Sequence, residues 1–329
     1  MIIDTGSFSS EDIIISSTPV KIFDNSKFLK WIDAGFNADM GYLTKHENVM
    51  KREDPSLIMK NSKSLITFLV NYKRRFHYDQ RYGRFSKYAL GIDYHIFVNR
   101  IIRNYVNNND LFMNSFLTYT DTGPIDERLI SSVSGNGWIG RNSMLINSKI
   151  GSFTYIGEAI TDLKINNFNI PSPDLCGSCN RCILSCPTSA INYDRSIDSR
   201  KCISYNTIEN RGIIDPSVAM KMSDMIFGCD ICNDVCPWNN NTRYSKIPEV
   251  VNYNFGNKAK IEELAFIDKD YFAKIYKNSS IKRAGYQGIA RNAIIAIYNN
   301  DKSDPILKEI EKNFDDLRTK QIKILKNQE

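Results

Sequence analysis

The sequence predicts an α/β domain, then a compact cysteine-rich unit, then an α-helical tail. Three observations carry this: strand-length apolar runs alternate with helix-period segments up to about residue 165, eight cysteines crowd into the stretch from Cys176 to Cys236, and the chain beyond about residue 258 turns to short amphipathic helices. Its 329 residues allow two or three structural units. With 42% hydrophobic and 24% charged residues the chain is ordinary globular material, which excludes a fibrous or disordered class. A formal charge of +6 is compatible with a polyanionic partner without identifying one.

Taken in order, FLKWIDAGFNADMGYL (Phe28 to Leu43) reads as a helix running into a loop shaped by two glycines. SLITFLV (Ser64 to Val70) has the length of a buried core strand and is too short to cross a bilayer. IIRNYVNN from Ile101 has helical spacing, and Leu111 to Thr120 reads as a strand before the polar DTGPIDER of Asp121 to Arg128. GNGWIGRN (Gly135 to Asn142) and GSFTYIGE (Gly151 to Glu158) read more readily as turns than as ligand loops, because neither has the spacing of a dinucleotide or triphosphate site. Pro171 and Pro173 mark a boundary before the cysteine-rich unit, which ends near residue 240. KIEELAF, IKRAGYQGIARNAIIAIY and PILKEIEKNF read as helices, too few to establish a solenoid. MIIDTGSFSSEDIIISS lacks a basic region followed by an apolar segment, so no export signal and a cytoplasmic location are expected. Structural disulfides are a poor explanation for clustered cysteines in such a reducing compartment.

Cys176, Cys179, Cys182 and Cys186 follow the spacing C-x2-C-x2-C-x3-C-P. In two-cluster iron-sulfur domains the first three thiolates of such a run hold one cluster and the fourth reaches the other. A second run, Cys229, Cys232 and Cys236 before Pro237, is one cysteine short, and Cys202 supplies the missing count. The closed assignment is Cys176, Cys179, Cys182 and Cys236 for one [4Fe-4S] cluster and Cys186, Cys202, Cys229 and Cys232 for the other, with Cys202 and Cys236 the least constrained members. Structural zinc, which also accepts four sulfurs, is the competing reading. Two adjacent clusters imply electron transfer; clusters kept for structure are the alternative.

FLKWIDAGFNADMGYL, KREDPSLI, KYALGIDYH, DTGPIDER, GNGWIGRNSMLI, GSFTYIGE, the first cysteine run, RKCISYNTIENRG, FGCDICNDVCPWN and IKRAGYQGIARNAIIAI together resemble the epoxyqueuosine reductases. The resemblance covers nearly the whole chain from about residue 28. It departs at GRN (Gly140 to Asn142), where the family more often has a lysine, and over the first 25 residues, which read as a shortened cap. It implies an α/β cobalamin-binding reductase domain (1–168), an inserted or following α+β two-[4Fe-4S] ferredoxin-like domain (169–245) and a small α-helical HEAT-like module (258–329) that binds tRNA. The implied reaction reduces epoxyqueuosine to queuosine at the wobble position of a tRNA with a GUN anticodon. Electrons would come from a one-electron donor such as flavodoxin or ferredoxin, to a monomeric enzyme with no membrane attachment.

By the same resemblance Asp121 is the proton donor to the opening epoxide, although an aspartate before Thr-Gly-Pro otherwise reads as a turn or cap residue. Burial beside the corrin would raise its pKa. Glu127 and Arg128 are attractive charged neighbours with a solvated ion pair as the alternative, and they stay outside the catalytic set. Cobalamin is expected base-off with no protein histidine on cobalt, so His95 reads as packing, and His46 and His77 have no stronger claim. Arg52, Gly157, Ser204, Cys229 and Asp230 are the expected cofactor contacts beside Asp121. NYKRRFHYDQRYGRFSKY interleaves basic and aromatic residues, so Lys73, Arg74 and Arg75 are expected at the RNA, joined by Asn210, Arg211, Lys282 and Arg283. Two other readings remain: another corrinoid iron-sulfur reductase acting on a small halogenated molecule, and a non-catalytic ferredoxin-like electron carrier. The first has little need of the basic aromatic segment and the second none of the DTGPIDER to GSFTYIGE region.

Overall fold

The computed structural model describes residues 11–75, 77–108, 115–166 and 170–327. Most of the leader reading at the N-terminus, Phe76 of the basic aromatic segment, the start of the strand expected from Leu111 and the boundary near residue 168 lie outside the described residues.

A four-stranded antiparallel sheet carries the first part of the chain. Its strands are β1 (Ile13–Pro19), β2 (Ser64–Asn71), β4 (Phe116–Tyr119) and β7 (Thr154–Thr161), in the order β1-β2-β7-β4. Every residue of β2 is buried, which explains why its sequence is continuously apolar instead of alternating. β1 pairs with β2 along its whole length, from Ile13 opposite Val70 to Pro19 opposite Ser64. The expected cap over the first 25 residues is therefore corrected: part of it is an edge strand, whose partner lies too far along the chain to be read locally.

Between β1 and β2 come α1 (Ser26–Asp33) and α2 (His46–Glu53), with Gly35 at φ 67° turning the chain after α1. α3 (Tyr94–Asn108) covers one face of the sheet with Phe97, Val98, Ile101, Ile102 and Tyr105, a stripe at helical spacing packed on Phe68, Val70 and Tyr155. α4 (Glu127–Val133) covers the other face, where Ile130 meets Leu65 and Ile160. The sheet is thus walled on both sides, and the loop from β4 to α4 crosses its end.

Short elements connect this layer to the rest. β3 (Arg84–Phe85) leaves the first layer to pair in parallel with β8 (Met225–Phe227) of the cysteine-rich unit. β5 (Trp138–Ile139) and β6 (Leu145–Ile146) form a hairpin. Its entry needs Gly137, at φ 150°, since a Cβ there would lie 2.0 Å from the Ile146 carbonyl oxygen. The cysteine-rich unit is built on α5 (Arg181–Leu184), α6 (Ile203–Ile208), α7 (Pro216–Ala219) and α8 (Ile231–Asp234).

α9 (Pro248–Val251) leads to α10 (Ile261–Ala265), α11 (Lys269–Ile275), α12 (Gly285–Asn300), α13 (Pro305–Asn313) and α14 (Leu317–Lys326). α12 is buried without a break from Gly288 to Tyr298, so it is the axis of the helical part. One apolar core runs from Phe85, Ala89 and Leu90 through Ile203, Val218 and Phe227 to Ile289, Ile294 and Leu325. The Arg291 guanidinium, fully buried, donates to the carbonyls of Asn206, Asn210 and Gly212 and ties α12 to the end of α6. Among the described residues no helix is long and apolar enough to cross a membrane.

Candidate active site

The cysteine spacing folds as tight turns onto short helices, which lets successive thiols face one way. The Cys179 amide donates to the Cys176 carbonyl at 3.0 Å, and the Cys186 amide to that of Ile183 at 3.3 Å. The thiols then fall into two neighbourhoods. Burial raises the Cys236 thiol and Cys176, Cys182 and Cys179 add to the rise. Burial likewise raises Cys229, to about 12, with Cys202 and Cys186 beside it, and Cys232, with Cys229 and Cys202 beside it. Cys182 also acts on Cys232, so the two groups adjoin.

Donors are already aimed at these sulfurs. Trp138 Nε1 donates to Cys176 Sγ at 3.4 Å and the Ala190 amide to Cys186 Sγ at 3.3 Å. The amides of Tyr205 and Ser204 point at Cys202, lowering a thiol that burial raises more strongly. Such N–H donors favour thiolate and tune the potential of a bound cluster. Among the described residues no three His, Cys, Asp or Glu side chains close on a single ion. Soft sulfur donors in two adjoining groups of four fit two iron-sulfur clusters.

Beyond β4 the chain turns at Asp121, whose φ of 56° is a conformation that non-glycine residues seldom hold. Two bonds fix the turn. Asp121 Oδ2 accepts from the Tyr94 hydroxyl at 2.6 Å, and the Asp121 amide donates to Glu127 Oε1 at 2.5 Å. Asp126 then caps α4 through the Leu129 amide. The Asp121 residue is exposed at the rim of the loop. Tyr94 stacks on Tyr155 with centroids 4.8 Å apart and planes 6° from parallel, and Tyr88 meets Tyr94 edge on at 5.8 Å.

This aromatic wall runs from Asp121 towards the thiols. Burial raises the Tyr88 phenol, and the charges of Asp121, Asp230 and Glu209 add to it, so the fields of carboxylates from three segments reach one ring. Asp230, at the start of α8, accepts from Ser86 Oγ at 2.5 Å and from the Lys87 amide at 2.7 Å. Tyr94 and Tyr155 are buried and only Tyr88 is half-buried, so the cluster is a packed support; an exposed acid on one side of it and thiols on the other suit a group that exchanges electrons with clusters, and so fit cobalamin.

The remaining expected residues fall in different places. Ser204 is half-buried on α6, next but one to Cys202. Arg52 lies over the Phe28 ring at 4.8 Å, its Nε buried without a hydrogen-bond partner, and its charge reaches Glu127 and Glu158. Gly157 faces α3: a Cβ there would lie 2.7 Å from Val98 Cγ1, so packing explains this glycine. His95 is engaged by Asp93 at 2.6 Å and stacked on Tyr94.

The basic residues divide as well. Lys73 and Arg74 are each only 9% exposed. Lys73 Nζ donates to the carbonyls of Asn239 and Thr242, and Arg74 to that of Val250, so their charges hold the chain together inside; Arg75 is exposed. A cleft of about 380 Å³ lies beside them, lined also by Lys87, Asp234 and Tyr244. Asn210 is spent on its own turn, and Arg211 donates to the carbonyls of Ile208, Arg283 and Ala284. Lys282 pairs with Asp93 at 2.8 Å and Arg283 with Glu209 at 2.8 Å. The exposed head of Arg283 lies near Tyr42 and Asp121, on the rim of the aromatic wall. Sequence reasoning did not single out Tyr94, Tyr42, Glu209 or Glu158, which the structure places around Asp121 and Glu127. Tyr94 lay inside the matched KYALGIDYH, but a tyrosine opening a helix reads as core.

A family model described as Epoxyqueuosine reductase QueG matches residues 52–109, and one described as a 4Fe-4S double cluster binding domain matches residues 175–239. A curated epoxyqueuosine reductase from Cyclobacterium marinum is 34% identical over 270 residues, spanning 81% of this chain and 86% of that relative. One from Francisella cf. novicida is 33% identical over 324 residues, spanning 92% and 88%. The solved epoxyqueuosine reductase from Streptococcus thermophilus, 25% identical, superposes with a TM-score of 0.83 over 96% of this chain and 87% of that one. The same fold recurs, at 22% identity and a TM-score of 0.82, in an epoxyqueuosine reductase crystallised with a tRNA-Tyr epoxyqueuosine-modified stem loop, covering 95% of each chain.

Proposed function

The chain belongs to the epoxyqueuosine reductase family, and from that premise we propose that it reduces epoxyqueuosine to queuosine at the wobble position of a GUN-anticodon tRNA. The observation that carries this reading is the Asp121 carboxylate, held by Tyr94 at the rim of an aromatic wall whose far end leads to the thiols. The work divides among a cobalamin-binding part (1–168), a two-cluster part (169–245) and a helical, tRNA-binding part (258–329).

Cys176, Cys179, Cys182 and Cys236 would hold one [4Fe-4S] cluster, and Cys186, Cys202, Cys229 and Cys232 the other. Half-buried Tyr88 would lie beside cobalamin, backed by the buried Tyr94 and Tyr155, with Asp230, Ser204 and Cys229 towards the clusters and Arg52 near the periphery. Bound there, the clusters would relay single electrons and cobalamin would supply a strongly reducing centre.

The residues of the chain do the rest. Asp121 protonates the epoxide oxygen as its carbon–oxygen bond opens, since that oxygen would otherwise leave as an unfavourable anion. Tyr94 orients the Asp121 carboxyl through its hydroxyl, and the Glu127 bond to the Asp121 amide keeps the turn in place. Arg75, Lys282 and Arg283 lie exposed to meet RNA phosphates. A soluble one-electron donor of the flavodoxin or ferredoxin kind would feed a cytoplasmic monomer.

The test is anaerobic reconstitution followed by single turnover on an epoxyqueuosine-containing anticodon stem-loop, with queuosine read by mass spectrometry. About eight irons per chain and one turnover per enzyme are expected. A chain that takes up four irons, or that leaves the RNA unchanged while reducing a halogenated small molecule, overturns the proposal.

A further inference from the structure

Glu158 has no part in the steps above, yet it is placed where a carboxyl group is costly. It lies on β7 between Thr67 of β2 and Tyr119 of β4. Gly157 turns towards α3, so Glu158 turns to the opposite face, which α4 covers and where Asn136 donates to Thr67. The residue is fully buried, and neither carboxyl oxygen has a hydrogen-bond partner. An unpaired carboxylate there costs far more than a neutral acid. Burial raises its pKa, and the charges of Glu127 and Asp126 raise it further against the pull of Arg52.

Glu127 opens α4 and is the residue whose Oε1 accepts from the Asp121 amide. Burial and the charge of Asp121 push it up to about 8, against that hydrogen bond, Arg128 and Arg52. Two buried carboxyl groups that favour their protons therefore adjoin the exposed Asp121, Glu127 through the Asp121 amide and Glu158 through the field of Glu127. The charged and titratable groups facing them are Arg52 from α2, Tyr94 from α3, Asp126 and Arg128 at α4, Asp121 from the loop and Tyr119 from β4.

Removing an epoxide oxygen as water while leaving a carbon–carbon double bond consumes two electrons and two protons. The electrons arrive from the external donor, but one carboxyl group carries only one proton at a time. We propose that Glu127 and Glu158 store the second proton of each turnover and return it to Asp121 from the side away from the substrate. This rests on the reading of Asp121 as the donor. In the first transfer the Asp121 O–H bond breaks as the epoxide oxygen gains hydrogen, leaving Asp121 as carboxylate. Glu127 then gives its proton to Asp121 and is refilled by Glu158. The reprotonated Asp121 protonates the new hydroxyl, whose carbon–oxygen bond breaks to release water. Solvent refills the pair after product leaves. Asp121 is the catalytic residue; Glu127 and Glu158 are positioning residues that act through it.

Glu158→Gln keeps the size of the side chain and breaks no hydrogen bond, because its oxygens make none. In multiple turnover by the reconstituted enzyme on the epoxyqueuosine stem-loop, kcat should fall roughly 10-fold with KM unchanged, less than the 100-fold or more expected on losing a direct donor. The wild-type rate should decline as pH rises past about 8, where Glu127 empties, and Glu127→Gln should lower kcat and abolish that limb. Infrared spectra of the resting protein should show the carbonyl band of buried carboxylic acids, weakened in Glu158→Gln and again in Glu127→Gln. Unchanged kcat and pH profile in both variants, or a wild-type spectrum without that band, overturns the store alone. If Glu158→Gln does not fold, Glu127→Gln and the wild-type spectrum decide on the same terms. Failure of wild type to convert the stem-loop overturns the reductase reading, and the store with it.

Discussion

At the scale of single residues the proposed chemistry comes down to one carboxylate and what fixes it. Asp121 could be read from DTGPIDER by resemblance, but its holders could not: Tyr94 precedes it by a whole helix, and the left-handed turn that aims it depends on Glu127 reaching back to its amide. Charge misled the reading at Lys73 and Arg74, because a basic run looks solvated until the carbonyls of a distant loop are seen to close over it. Glu158 was hidden in an apolar strand, where a single acid looks like a surface position. Asp121→Asn keeps size and hydrogen-bonding reach, so iron, cobalamin and RNA binding should persist while single-turnover rate drops roughly 100-fold to 10,000-fold. Near-normal turnover in that variant would remove Asp121 from the role of donor.

At the scale of elements the structure works by bringing distant segments together. Strand β2, helix α3 and helix α12 were legible because each carries its own period or an unbroken apolar run. β1 and the β3–β8 pairing were not, since their partners lie far along the chain and neither strand has a strong pattern of its own. The crossing of Cys236 to the first run stays a proposal: counting ligands gives two sets of four and leaves Cys202 and Cys236 the least constrained members. Cys236 packs with Trp138, Ile146 and Cys176. Cys236→Ala should accordingly weaken the cluster of Cys176, Cys179 and Cys182 and leave more of the signal anchored by Cys186, as read by electron paramagnetic resonance of the reduced protein. Loss confined to the Cys186 cluster would refute the pairing.

Asp93 makes a comparable join at the start of α3. Its amide donates to the Asn278 carbonyl, and its carboxylate meets both His95 and Lys282. Burial works to raise the Asp93 carboxyl, but these partners outweigh it and hold the group down to about 2. A folded-state value below the unfolded one means that the stabilisation is present above the unfolded pKa and is lost as pH falls through the folded one. Wild type should therefore lose stability relative to Asp93→Asn between about pH 4 and pH 2 and keep its advantage at neutral pH. Equal denaturant midpoints for the two proteins across that range would show that the join contributes nothing.

At the scale of the whole molecule the three-part division legible in composition does not correspond to three separate cores. The largest core takes Phe85 to Leu90 from the first part, Ile203 to Phe227 from the cysteine-rich part and α10 to α14 from the helical tail. Arg291 bridges two of these parts by filling carbonyls at the end of α6 with a buried cation, a contact that leaves several acceptors unmet if it is removed. The helical tail is thus not an appendage added for RNA. It is the wall against which the segments bearing Cys202 and Cys229 pack, and these two proposed ligands inherit their positions from it. Removing residues 258–329 should expose the apolar side of α6, α7 and β8 and cost iron as well as RNA binding. The expected product is an aggregating chain that keeps well under eight irons after anaerobic reconstitution. A soluble, fully loaded fragment that merely fails to bind the stem-loop would show instead that the tail is a separable RNA module, and that the shared core contributes little to holding the clusters.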